Sequence, residues 1–206
     1  MMRKMWVVFT ILALWACNAQ RADEGRANEA AATSEPTPAP ENTVAAANVV
    51  AAESDDRSQF TSIDPVQCRL IEENVEEGGW WRRLCEGLAG YKLELSESDL
   101  RQDIVITSAD GRRSELGLSD IVANGAFNSL GTTAEWRGAD PASPQALIVR
   151  LDVASDPEGK NPDVSNLVVV RLKPPACIVA VVPPGSGQNE AARTIADGKL
   201  PACLKT

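Results

Sequence analysis

The sequence predicts an α+β domain: an antiparallel β-sheet with one or two short helices packed on it, tied by two disulfides. Apolar/polar alternation of period two recurs late in the chain. Only two segments carry helix start and stop signals. Four cysteines, Cys68, Cys85, Cys177 and Cys203, fall within residues 58–206, a stretch of ordinary single-domain length. In chain order, Pro65–Glu73 reads as a short helix, with Asp64 as N-cap and Pro65 at its first position. Tyr91–Leu95 and Asp103–Thr107 read as short strands. Between them Ser96–Arg101 reads as a turn held by an Asp99–Arg101 ion pair, and Asp110-Gly111 carries a turn signal beyond the second. Thr133–Arg137 is another short strand, with Trp136 as a core aromatic. Ala146–Ala154 alternates cleanly: Leu147, Val149, Leu151 and Val153 share one face, Arg150 and Asp152 the other. A long hairpin loop over residues 155–163 leads into Asn166–Leu172, whose continuous apolar run fits a strand buried on both faces. Pro174-Pro175 breaks the chain before a third strand, Cys177–Val182, and the three are expected to pair as a meander. Gly187–Asp197 is the second helix, with Ser186 as cap, Glu190 in its first turn, Gly198 at its end and a small apolar face of Ala191, Ala192 and Ile195.

Composition excludes several functions. The chain has 206 residues, 20 Lys+Arg against 29 Asp+Glu, a formal charge of −9 and no histidine. Without imidazole there is no Ser-His-Asp or Cys-His catalysis and no histidine zinc site. The acidity argues against nucleic acid as a partner, because phosphate contacts need clustered Lys and Arg. Residues 58–206 alone carry 15 Lys+Arg against 21 Asp+Glu, so the acidity belongs to the domain as well as to the tail. Pro183–Gly187 precedes a helix but lacks the Gly-Lys-Ser/Thr of a phosphate loop. No cofactor or metal site is expected.

The N-terminus reads as an export signal. Arg3 and Lys4 precede Met5–Trp15, a run broken only by Thr10 and too short for the about 20 residues that span a bilayer. It ends in Leu14-Trp15-Ala16-Cys17, which resembles the lipobox of bacterial lipoproteins, with Trp15 as a departure where a smaller residue is usual. The resemblance implies that residues 1–16 are a signal peptide, that Cys17 carries the lipid, and that the protein is held on the periplasmic face of the cell envelope. Asn18 after the cysteine points to the outer membrane. Ordinary cleavage after Ala19 is the competing reading. Residues 17–57, rich in Ala, Glu, Thr, Pro and Asn, read as a disordered linker with a reach on the order of 35 Å.

Assigning Cys17 to the lipid resolves an odd cysteine count and leaves four in an oxidising compartment. The expected pairs are Cys68–Cys85 and Cys177–Cys203, because both close short loops. The alternative, a four-thiolate zinc site, is disfavoured by spacings far from C-x2-C.

The segment Glu72–Arg83 is the strongest candidate site. It packs Glu72, Glu73, Glu76, Glu77, Gly78, Gly79, Trp80, Trp81, Arg82 and Arg83 into twelve positions. On a strand, neighbouring residues face opposite sides, so one tryptophan is expected in the core and the other near the surface. Trp80, Trp81, Arg82 and Arg83, framed by Glu76 and Glu77, then form an aromatic platform rimmed by charge; the plainer reading is a disulfide-closed loop with solvated charges. Tyr91 with Glu97, Asp99 and Arg101 is a second polar group. The carboxylates also admit a glycosidase-like pair if two converge across a cleft.

Phe60-Thr61-Ser62, Cys68, Glu76–Trp80, Cys85, Gly87-x-x-Gly90-Tyr91 and Asp99-Leu100-Arg101 resemble a small exported domain of alphaproteobacteria, over about residues 59–137. The resemblance implies one folded unit and carries no activity. The function expected is a non-enzymatic, lipid-anchored envelope domain that binds a protein, a peptide or a polysaccharide. The alternatives are a periplasmic inhibitor of a basic hydrolase such as lysozyme, whose cationic cleft would suit an acidic partner, and a weak carboxylate-dependent hydrolase.

Overall fold

The alternating runs form strands, and the segments around them supply more strands than their patterns predict. The computed structural model describes residues 56–76 and 78–205, within a compact unit spanning Ala51–Thr206. The signal segment, Cys17 and the linker up to residue 55 lie outside the described residues, as does Glu77. Ten strands follow one another: β1 Ser58–Ser62, β2 Arg69–Asn74, β3 Trp80–Glu86, β4 Lys92–Ser98, β5 Arg101–Thr107, β6 Arg113–Glu115, β7 Asn128–Arg137, β8 Ala146–Val153, β9 Val164–Arg171 and β10 Cys177–Val182. The helices are α1, Leu118–Ile121, and α2, Gln188–Asp197.

The strands make two antiparallel five-stranded sheets rather than the one expected, so the domain is mainly β. The first sheet runs β1-β7-β8-β9-β10 and the second β2-β3-β4-β5-β6. The expected meander is the β8-β9-β10 part of the first, with Leu147 opposite Val170 and Val149 opposite Val168. Period two explains why both sheets close on one core. Leu93, Leu95, Ile104 and Ile106 of the second sheet meet Trp136, Leu147, Val149, Leu151, Val168 and Val170 of the first in a single buried cluster. Trp136 sits inside it, its Nε1 donating to Thr61 Oγ1 at 2.8 Å. Gly87 lies against that indole: a Cβ there would approach Trp136 Cζ2 to 2.7 Å and Tyr91 O to 2.8 Å.

The alternate residues of the first sheet face outward and receive α2, so the second helix packs on the sheet as expected. Ile148, Leu167, Val169, Val179 and Val182 bury Ala192 and Ala196. Ala191, expected on that face, is exposed, because the buried stripe runs through positions 192 and 196, one turn apart. The cap is Gly187, in the left-handed region at φ 79°, with no side-chain hydrogen bond from Ser186. Gln188 does the tying instead, its Nε2 donating to Ser165 O and Val182 O at 2.8 and 2.9 Å.

The helix expected over Pro65–Glu73 is a single 3-10 turn, Pro65–Gln67. Its start signal works: Asp64 Oδ1 accepts from Val66 N at 3.1 Å. It stops at Cys68, which is extended at φ −90°, ψ 147° and bonded to Cys85 in β3. The chain beyond then pairs with β3 as β2. The turn expected over Ser96–Arg101 is tighter: only Asp99 and Leu100 leave the ladder, at φ 50° and 58°, a two-residue hairpin loop with both positions left-handed. The Asp99–Arg101 ion pair is present. The Asp110-Gly111 turn also forms, with Gly111 at φ 83° and Asp110 held well below the usual carboxylate range by Arg112 and the Ser108 hydroxyl.

Both expected disulfides are formed, Cys68–Cys85 and Cys177–Cys203. The second draws the C-terminal tail along β10, where Leu204 N donates to Ile178 O at 2.8 Å.

Candidate functional site

The Glu72–Arg83 segment is a hairpin, and pairing decides what each residue does. β2 and β3 run antiparallel with Asn74 opposite Trp80, Glu73 opposite Trp81 and Glu72 opposite Arg82. A bulge at Ile71 shifts the register between Leu70 and Glu72. The connecting turn is fixed by Asn74, whose Oδ1 accepts from Glu76 N at 2.8 Å, and by Gly78 at φ 77°.

The four residues of the Trp-Trp-Arg-Arg run divide between the two faces. Trp81 turns inward and packs against the shared core. Arg83 follows it, its guanidinium carbon 5.9 Å from the Trp81 ring centroid and its Nη1 donating to Pro65 O at 2.9 Å. These two residues hold the 3-10 turn against β3. Trp80 and Arg82 lie on the opposite face, and both are half-buried. Glu76 is exposed at the turn. The five described residues of the six expected to form one platform are therefore not one surface: Trp80, Arg82 and Glu76 belong to the outer face and its end, Trp81 and Arg83 to the interior side.

Arg82 belongs to a charge relay that the sequence does not announce. Its Nε and Nη2 donate to Glu94 Oε1 at 2.9 and 2.6 Å, and its Nη1 to Glu72 Oε2 at 3.5 Å. Arg113 Nη1 donates to Glu94 Oε2 at 3.0 Å. Glu72, Arg82, Glu94 and Arg113 thus alternate in sign across β2, β3, β4 and β6. Burial pushes the Glu94 carboxyl up, but Arg113 and Arg82 outweigh it and hold it below its ordinary value. Glu94 was hidden by its setting: Lys92-Leu93-Glu94-Leu95 reads as the solvated half of an amphipathic strand, and nothing local reveals that arginines from two other strands close over it.

The second polar group does not converge. Tyr91 packs on Trp136, ring centroids 5.6 Å apart. Glu97, toward the far end of β4, accepts from Gln102 Nε2 at 2.6 Å.

The edges of the sheets give this hairpin its distinguishing property. A strand edge exposes unpaired N–H and C=O groups, which proteins normally shorten or cover. The C-terminal tail hydrogen-bonds to β10, β6 has only three residues, and β1, the edge beyond β7, is partly buried at three of its five. β2 has six residues, all exposed, and among the described residues it pairs with β3 alone. Along it and in the turns on either side of it stand Val66, Leu70, Ile71 and Val75, exposed by 81, 39, 38 and 88%. Residues 69–77 carry one Arg and four Glu.

Among the described residues no group of three or more Cys, Asp or Glu side chains is arranged to hold a metal ion, and no helix is long and apolar enough to cross a membrane. Comparison of the chain with protein families, with curated proteins and with solved structures gave no match.

Proposed function

We propose that this is a non-enzymatic binding domain that takes up an extended, basic segment of a partner protein by adding it as a strand to the free edge of β2. The carrying observation is that edge: six exposed residues that pair on one side alone among the described residues, apolar side chains on and beside them, and a −3 charge over residues 69–77. Strand addition draws affinity from main-chain hydrogen bonds and specificity from side chains at alternate positions. Trp80 on the adjacent strand supplies an aromatic contact, and the acidic hairpin supplies long-range attraction to a cation-rich segment. The same acidity favours, as a second reading, a partner that is itself a basic hydrolase held inhibited.

The hydrolase reading gains less support. Glu135 and Asp152 line one groove, but Glu135 pairs with Ile148. Asp152 lies four residues further along β8, roughly 13 Å away. Glu135 is moreover occupied by Ser58 and Arg193.

The reading includes export and attachment through a lipid on Cys17, supported by the Arg3–Cys17 pattern and by two disulfides, which persist in oxidising compartments. Incorporation of labelled fatty acid into the wild-type chain, and not into Cys17→Ser, is the expected result. Equal labelling removes the anchor.

For the binding function, a photo-reactive residue at position 75 is expected to capture a partner polypeptide in whole cells. Ile71→Lys, which guards the edge without touching the core, should abolish capture, and Trp80→Ala should weaken it. Raising salt from about 50 to 500 mM should weaken binding of the purified pair. Capture unchanged by Ile71→Lys would overturn strand addition at β2.

A further inference from the structure

We propose a second binding site on the other sheet: the outer face of β1, β7 and β8 beside α2 takes a short, neutral oligosaccharide, with Phe60 as its stacking platform. This site is independent of the β2 edge.

The first observation is an exposed aromatic ring between two depressions. Phe60 is 57% exposed in the middle of β1. On one side lies a groove of about 570 Å³. On the other lies one of about 380 Å³, lined by Ser62, Asp64 and Gln67. Phe60, Thr132 and Thr133 line both, so the two depressions adjoin at the ring. Each volume falls in the range of small-molecule sites. A pyranose ring presents an apolar C–H face and a rim of hydroxyls, the two surfaces that an aromatic face and its polar flanks complement.

The second observation is how that rim is built. The β7–β8 register shifts between Leu130 and Ala134, and this bulge leaves Thr132 and Thr133 exposed beside Phe60. Bulges re-aim side chains and recur beside functional sites. Gly131 makes room for this one: a Cβ there would stand 3.0 Å from Arg150 Cβ.

The third observation selects the ligand's charge. Four charged groups line the larger depression, Glu135, Arg150, Asp152 and Arg193, two of each sign. Arg193 Nε donates to Glu135 Oε1 at 2.7 Å, and Ser58 Oγ donates to the same oxygen at 2.6 Å. Arg150 Nη1 donates to Ser165 Oγ at 2.7 Å. The Arg193–Glu135 pair is an ion pair, Arg150 is held by a neutral hydroxyl, and the four groups together carry no net charge. A charged ligand gains no net attraction, whereas a polyol meets preoriented donors and acceptors above a floor of Ile148 and Leu167, 3 and 6% exposed.

The test titrates the full-length chain with cellohexaose, maltohexaose and chitohexaose, following amide shifts by NMR. At least one is expected to bind, with shifts at Phe60, Thr132, Thr133 and Arg193. Phe60→Ala should weaken binding by about tenfold or more, a loss of about 1.4 kcal/mol. Phe60→Tyr, which keeps the ring, should bind as wild type, and so should Trp80→Ala. Failure of all three sugars to bind at millimolar concentration would overturn the proposal, as would wild-type affinity in Phe60→Ala. Loss of binding in a folded Phe60→Tyr protein, or in Trp80→Ala, would also overturn it.

Discussion

Glu94 is a carboxylate in a nearly closed position, 6% exposed, and it stays charged because Arg82 and Arg113 reach it from different strands. A carboxyl whose pKa is lower in the folded than in the unfolded chain stabilises the fold above its unfolded value. That contribution is lost as pH falls through the folded value. Glu94→Gln keeps the shape and removes the charge. At neutral pH it is expected to cost about 1–2 kcal/mol, kept small because both arginines are partly exposed and screened. The gap should then close on acidification below about pH 4.5. Urea midpoints of the two proteins from pH 7 to pH 3 check this, and a constant gap would mean that the pair does not govern the titration. Residue-level legibility is uneven. Period two foretells that Trp80 and Trp81 part company, and the Asp99–Arg101 pair follows from adjacency. The Glu94 clamp rests on three strands meeting in register, which no local pattern encodes.

At the scale of elements, β2 shows a correct local signal that is overruled. Asp64-Pro65 does begin a helical turn, but Arg69-Leu70-Ile71-Glu72-Glu73-Asn74 has neither helical nor alternating periodicity. Its conformation comes from pairing with β3 and from the Cys68–Cys85 bond beside it. α2 is the opposite case. Its span is legible from Glu190 and Gly198, but its fastening is not, for it depends on Arg137, 1% exposed on β7, whose Nε donates to Asp197 Oδ1 at 3.1 Å. The Cys177–Cys203 bond completes the same assembly by holding the tail beyond α2 on the edge of β10. Replacing both cysteines by serine should destabilise the domain by about 3–4 kcal/mol in the loop-entropy account of a 26-residue separation. It should also free the Leu204 amide to exchange. Melting of the double variant against wild type, with hydrogen exchange at position 204, checks both. Protection retained at Leu204 would mean that packing alone holds the tail.

For the whole molecule, the expectation of one sheet with helices on it fails for a definable reason. The late strands announce themselves because one face is apolar and the other polar. β1, β2 and β6 lie at sheet edges and are too short or too exposed to show that pattern. Without them the early strands look like an extension of the late ones rather than a second sheet. Facing the sheets across Trp136 has a thermodynamic consequence. Leu93, Leu95, Ile104 and Ile106 have their apolar partners in the first sheet, so neither sheet can keep its inner face dry once the other is lost. The two are therefore expected to unfold together, in one two-state transition. Tryptophan fluorescence reports both layers, through Trp80 and Trp81 in the second sheet and Trp136 in the first, and far-UV circular dichroism reports all the strands. Their urea curves should coincide, and Trp136→Leu should shift both by the same amount, about 2–4 kcal/mol given the cavity left in a fully buried position. Two separated transitions, or a Trp136→Leu shift seen by only one probe, would mean that the sheets carry separate cores and that sheet-to-sheet packing does not govern stability.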